Sequence, residues 1–333
     1  MMAISGEQTV TLWKFSEEGV QNVISKNATA PSSHPAAHPP PPPFFLFLLL
    51  SVLQGIAPRH VIENPHEKRL QNISWHPLAS NLLLTTAVDK LIKIFDVEHG
   101  AVESMTLPAH EGFVTSFSWN YDGSLLATTA KDKMLRVIDP RSNKFVSETV
   151  CHEGAKAPRA VWLGQKNQIV TVGFIKGIPE REMALFDARN AKARVHTHKI
   201  DALPSSIFPY YDQDLSLLYL IGKGDGNIRM YEVVDGADPF QDSGEYKSSV
   251  PQAGFAMLPK LSNDVMKCEI GKVLKLQESS VVPIRFEVTR QNSGYVFQSD
   301  LYPDTWDAKP VYSSREWIDG ATRNPTLVKV NGQ

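Results

Sequence analysis

Ser74-Trp75-His76-Pro77 leads into Leu84-Thr85-Thr86-Ala87-Val88-Asp89-Lys90-Leu91-Ile92-Lys93-Ile94-Phe95-Asp96, and the pattern then recurs. The second copy runs from Ser118-Trp119-Asn120-Tyr121 to Ala127-Thr128-Thr129-Ala130-Lys131-Asp132-Lys133-Met134-Leu135-Arg136-Val137-Ile138-Asp139. Trp75 and Trp119 are 44 residues apart, and Asp96 and Asp139 are 43 apart. A fixed period of this size marks a repeat architecture, in which each unit buries its apolar face against its neighbours.

The closing segment returns as Met183-Ala184-Leu185-Phe186-Asp187 and Ile228-Arg229-Met230-Tyr231-Glu232, with a degenerate copy at Val10-Thr11-Leu12-Trp13-Lys14. Its aromatic-or-Ile position falls at 13, 95, 138, 186 and 231, with gaps of 82, 43, 48 and 45. Asp122-Gly123 and Asp225-Gly226 are hairpin signals flanked by β-branched and aromatic residues, so each repeat reads as short strands. The expected fold class is all-β. Four-stranded repeats closing on a Trp-Asp-like dipeptide resemble the blades of a WD40-type β-propeller. His66 and His110 each precede the repeat's Trp by nine residues. His66 with Asp89, and His110 with Asp132, are expected to form buried hydrogen bonds that lock the blade turns.

The one long gap has a local cause. Residues 27–58 contain no Asp, Glu, Lys or Arg, and removing these 32 residues brings the gap of 82 to 50. Seven prolines lie between Pro31 and Pro43, followed by Phe44-Phe45-Leu46-Phe47-Leu48-Leu49-Leu50. The apolar run is about half of what a membrane-spanning helix needs, and it lies too far along the chain for a signal peptide. Polyproline II recognition by an SH3- or WW-type partner is physically open to it. Pro, Phe, Leu and Ser are encoded by pyrimidine-rich codons, and Gln54 admits CAG. The segment thus resembles a polypyrimidine tract running into a splice acceptor, and Asn27 to Gln54 is expected to be retained intron or gene-model error. The domain reading is a blade fragment at 1–26, a low-complexity insertion at 27–58, blades at 59–290 and an extension at 291–333.

Composition bounds the function. The 333 residues carry 34 Lys and Arg against 36 Asp and Glu, with 42% hydrophobic and 21% charged. This is ordinary globular usage, and it gives no bulk electrostatic grip on nucleic acid or an anionic membrane. Two cysteines, Cys151 and Cys268, make no disulfide framework and fit a reducing, cytoplasmic setting.

The later half resembles the coronin family. The resemblance rests on His152-Glu153-Gly154 with Arg159-Ala160-Val161, Thr171-Val172-Gly173-Phe174 with Arg181-Glu182, and Gly222-Lys223-Gly224-Asp225 with Ile228-Arg229. Met257-Leu258-Pro259-Lys260 and Lys267-Cys268-Glu269-Ile270 continue it. Its most specific part is Val296-Phe297-Gln298-Ser299-Asp300-Leu301-Tyr302-Pro303-Asp304-Thr305, followed by Glu316-Trp317. The resemblance implies a seven-bladed propeller with an extension packed across its underside. It also implies non-catalytic binding to filamentous actin in the cytoskeleton. The long tandem-propeller members imply an alternative, an adaptor for trafficking proteins on Golgi or vesicle membranes. Five blade ends are recognisable, so most of the first two blades is expected to be missing and the ring not to close by its usual strand exchange, a closed five-blade ring being the alternative. No heptads are present, so coiled-coil oligomerisation is not expected of this chain.

Other motifs read as structural. Gly222-Lys223-Gly224-Asp225-Gly226 lacks phosphate-loop spacing and precedes a strand. Cys151-His152 and His196-Thr197-His198 lack metal-site partners in the nearby sequence, so no metal or cofactor is expected. No Gly-x-Ser-x-Gly elbow or other nucleophile setting appears, so no catalytic residues are expected. Asp300 and Asp304 read as turn residues. Arg189, Lys192, Arg194 and Lys199 form one basic cluster, a candidate patch for an acidic partner. Transcript reads are expected to join the codons before Pro31 to those after Gln54, and abundant reads through the tract would overturn the insertion reading.

Overall fold

The structure, a computed structural model, describes residues 2–5, 9–13, 60–107, 110–291 and 294–330. Its first sheet combines β1 (Met2–Ser5), β2 (Thr9–Trp13) and β3 (His60–Glu63). Thr9 to Leu12 pair with Glu63 to His60, so one sheet joins strands from both sides of the Pro-rich stretch. The stretch and its expected splice boundary lie outside the described residues.

Four complete four-stranded meanders follow. They are β4 (Leu70–Trp75), β5 (Leu82–Ala87), β6 (Ile92–Asp96) and β7 (Val102–Leu107); then β8 (Val114–Trp119), β9 (Leu126–Ala130), β10 (Met134–Asp139) and β11 (Lys144–Val150). The next two are β12 (Arg159–Trp162), β13 (Gln168–Phe174), β14 (Arg181–Asp187) and β15 (Arg194–Asp201), and β16 (Ile207–Asp212), β17 (Leu217–Gly222), β18 (Ile228–Val233) and β19 (Phe240–Tyr246). A three-stranded sheet of β20 (Gly254–Met257), β21 (Glu269–Leu276) and β22 (Val281–Glu287) ends the series. All pairings within these sheets are antiparallel. The sheets are the blades of an all-β propeller, as the repeats predict.

Burial explains each strand's composition. The second strands of the first two complete blades, Leu82–Ala87 and Leu126–Ala130, are apolar or Thr throughout and wholly buried, because both faces meet neighbouring blades. The outermost strands β7 and β11 are largely exposed and mix polar residues with exposed apolar ones such as Val102 and Val146. Inner strands are half-buried and carry polar residues that tie blade to blade. Asn72 Nδ2 donates to the Val114 carbonyl at 3.2 Å, and the Trp162 N–H donates to Ser118 Oγ at 2.9 Å. Separate apolar clusters join each blade to the next, such as Val10 with Phe95 and Tyr219 with Phe286.

The extension crosses several blades. Tyr302 Oη donates to the Glu269 carbonyl at 3.1 Å, and Thr305 Oγ1 donates to Asp214 Oδ2 at 2.5 Å. β23 (Thr305–Trp306) pairs with β24 (Leu327–Val328). Between them lies α1 (Ser314–Ile318), opened by a reciprocal capping box between Ser313 and Glu316. Trp317 on this helix is fully buried among the first two complete blades. Its Nε1 donates to the Gly123 carbonyl at 2.9 Å, and the His76 ring contacts the same oxygen at 2.9 Å. Arg141 stacks 4.7 Å from the Trp317 ring and donates to the carbonyls of Ala321 and Gly320.

Gly123 sits at φ +68, and a Cβ there would meet the His76 ring at 2.4 Å. Trp317→Ala is expected to cost about 3–5 kcal/mol in denaturation, and Trp317→Phe markedly less because most of the ring packing remains. Equal stability of all three proteins would show that the extension does not brace the blades.

Candidate functional site

Three histidines sit at one place in successive blades. His66, His110 and His152 are each buried, at spacings of 44 and 42 residues. Thr85, Thr128 and Thr171, on the second strands, meet them at 2.8, 2.7 and 2.8 Å through Nε2. The acid side of each contact differs. His66 Nδ1 donates to Asp89 Oδ2 at 2.9 Å, and the Asp89 carboxylate also accepts the N–H groups of Glu67 and Leu91. His66 is thereby the Nδ1–H tautomer, with Nε2 accepting from Thr85.

In the next blade Asp132 lies 3.5 Å from His110 Nδ1, beyond a direct bond. Arg136 lies between them, donating to Asp132 Oδ2 at 2.8 Å and to His110 Nδ1. The expected direct His110–Asp132 bond is therefore a relay through a guanidinium. It requires a neutral His110 protonated on Nε2, which donates to Thr128.

The third network went unread in the sequence. His152 Nδ1 donates to Glu182 Oε1 at 2.9 Å, and Arg194 Nη1 pairs with the same oxygen at 2.8 Å. The recurrence of His at one spacing was its available signal, but the acid lies on β14 rather than in the preceding turn. At the fourth complete blade no histidine among the described residues meets the acid of the β17–β18 turn, Asp225; an arginine from β14 of the preceding blade does. Arg181, 1% exposed, donates to both oxygens of Asp201 at 2.5 Å and to Asp225 at 2.7 Å. Burial opposes its charge, yet the bonds to Asp201 and Asp225 outweigh that and raise its pKa. Asp225 lies in the Lys223–Asn227 turn between β17 and β18, so the Gly222–Gly226 motif is a hairpin turn.

The basic cluster disperses. Arg189 Nη2 pairs with Asp187 at 2.6 Å, Arg194 turns to Glu182, and Lys199 pairs with Glu180 at 2.9 Å. Arg194 and Lys199 occupy opposite ends of β15, about 17 Å apart along an extended strand. Lys192 is exposed on the connecting turn. Sequence proximity overstated compactness because the neutralising acids come from β14 and its flanking turns.

The Trp residues that end β4, β8 and β12, Trp75, Trp119 and Trp162, line a cavity of about 550 Å³ together with Tyr210, Tyr211 and the extension's Trp306. This aromatic mouth is a concave surface on which a partner's side chains could pack. Among the described residues, no helix is long and apolar enough to cross a membrane.

Burial pushes the imidazoles of His76 and His110 down to about 4. Both stay neutral in the folded chain while an unfolded imidazole, near 6.5, takes up a proton. Their contribution is complete above pH 6.5 and is lost as pH falls toward 4. Urea midpoints are expected to fall across that window, and His76→Asn, less stable at neutral pH, to show a shallower fall; parallel curves would contradict this.

Family models match in two places: a "WD domain, G-beta repeat" over 102–139 and a "type of WD40 repeat" over 281–325. Coronin-A of Dictyostelium discoideum is 40% identical over 227 residues, 68% of this chain and 50% of that protein. Coronin-7 of Bos taurus is 30% identical over 335 residues, 99% of this chain and 33% of that protein. The chain thus spans half of one relative's length and a third of the other's. The crystal structure of the WD40 domain from Toxoplasma gondii coronin superposes with a TM-score of 0.77 at 33% identity, covering 82% of this chain and 70% of that one. With both the sequence and the propeller shared over most of that domain, the chain belongs to the coronin family.

Proposed function

We propose that this chain is a non-catalytic recognition scaffold that binds filamentous actin and organises the cytoskeleton from the cytoplasm. Its coronin membership is the observation that carries the reading. The buried histidines, acids and arginines support recognition over catalysis, since they are spent on one another between strands. The aromatic mouth and the exposed basic side chains supply surfaces of the kind that read an acidic protein partner. His66, Asp89, His110 and Asp132 act in this reading as fasteners of the blade turns, without touching the partner.

A specific observation favours a second reading. The coronin-7 match spans 99% of this chain yet only a third of that relative, which leaves room there for more than one propeller. On that reading the chain is an adaptor for trafficking proteins, peripheral to Golgi or vesicle membranes.

Co-sedimentation of the purified chain with actin filaments is the test. Binding is expected to weaken as salt rises, and Lys192→Glu with Lys199→Glu to lower affinity about two- to tenfold, chiefly through association rate. No pelleting at low salt would remove the actin reading, whereas pelleting unaffected by the charge reversals would remove only the part assigned to Lys192 and Lys199.

A further inference from the structure

β15, the outermost strand of its blade, alternates along its length. Val195, Thr197 and Lys199 are exposed, while His196, His198 and Ile200 are half-buried. Residues two apart in a strand share a face, so both imidazoles turn toward the following blade. There His196 lies 5.7 Å from Phe240, and His198 lies 5.3 Å from Tyr231, each edge-on.

The sequence around these histidines lacks a carboxylate, with no acid between Ala188 and Ile200. The fold supplies one. The turn between β18 and β19 brings Asp238 over the seam, with its Oδ1 3.6 Å from His196 Nε2. That turn is fixed by its own hydrogen bonds, Val234 N–H to the Pro239 carbonyl at 3.0 Å and Gln241 Nε2 to the Asp238 carbonyl at 2.9 Å. One ligand atom from each of His196, His198 and Asp238 lies within 4.8 Å of the others.

We propose that His196, His198 and Asp238 form a Zn²⁺ site across the seam between two blades. Two imidazole nitrogens and one carboxylate oxygen are a donor set that zinc takes, at bonds of about 2.0–2.2 Å. Tetrahedral bonds of that length place donors about 3.5 Å apart, so the three side chains close on the ion by rotations on the order of 1 Å. The aromatic rings behind the histidines limit other approaches, and the exposed Asp238 side leaves a fourth position for water or a partner's donor. Calcium and magnesium suit the site poorly because they take oxygen ligands. The ion would staple an outer strand, otherwise the least protected part of its blade, to the next blade's hairpin.

The full chain, stripped of metal, is titrated with Zn²⁺ by calorimetry and melted with and without the ion. One equivalent is expected to bind and to raise the melting temperature. His198→Ala and Asp238→Asn are each expected to weaken that binding at least about tenfold, whereas His99→Ala, remote in the sequence, leaves it unchanged. Asp238 is exposed, so Asp238→Asn decides the question even where His198→Ala folds poorly. No stoichiometric binding by the wild-type chain, or wild-type affinity in Asp238→Asn, would overturn the site.

Discussion

A sheet whose second strand is apolar on both faces cannot stand in water by itself. Leu82–Ala87 and Leu126–Ala130 are buried from end to end, which requires a wall on each side. Every blade is therefore both tenant and wall, and the rest of the architecture follows from that requirement. The inner strands, crowded toward the axis, spend their polar side chains on the neighbouring backbone. The outer strands, spread apart at the rim, face solvent and can be polar. The His, Arg and acid networks sit at the strand ends, where a turn must be held in register while its flanks are covered.

Coronin membership concentrates where blades alone would leave a fault. The Gly123 carbonyl meets two donors, one from Trp317 and one from His76, and so links two blades with the extension. A carbonyl has two lone pairs, so this one oxygen accepts from both donors at once. Arg141 closes the arrangement by stacking on Trp317 while holding the chain that follows. The segment that resembles coronins most specifically, Val296–Thr305 with Glu316-Trp317, is thus a structural brace across the blades.

What could be read in the sequence was whatever repeats. The period located the blades, the strand ends and the His66–Asp89 pair, since these lie within one unit at fixed offsets. What could not be read came from partners that the fold imports. Arg136 displaced the expected His110–Asp132 bond because a long side chain on β10 reaches the same pocket. Glu182 was legible as part of the coronin resemblance, but its bond to His152 was not, because it stands on β14 rather than in the turn where the other two repeats carry their acid. Lys199 and Arg194 looked free because Glu182 lies on the paired strand and Glu180 in the turn just before it, rather than beside them in sequence. Asp238 stands 40 residues beyond His198, in a turn that nothing local connects to it.

The brace also sets a clock. Trp317 is joined to Gly123 across 194 residues of chain, so a ribosome finishes the two blades long before it makes the side chain that fills the gap between them. At ordinary translation speeds that interval is about 10–40 s, ample for blade folding but spent with the Trp119 and His76 rings uncovered. During synthesis the nascent propeller therefore passes through a stage in which its earliest blades are folded but unsealed, and a chaperone that recognises exposed aromatic surface has a defined window in which to act.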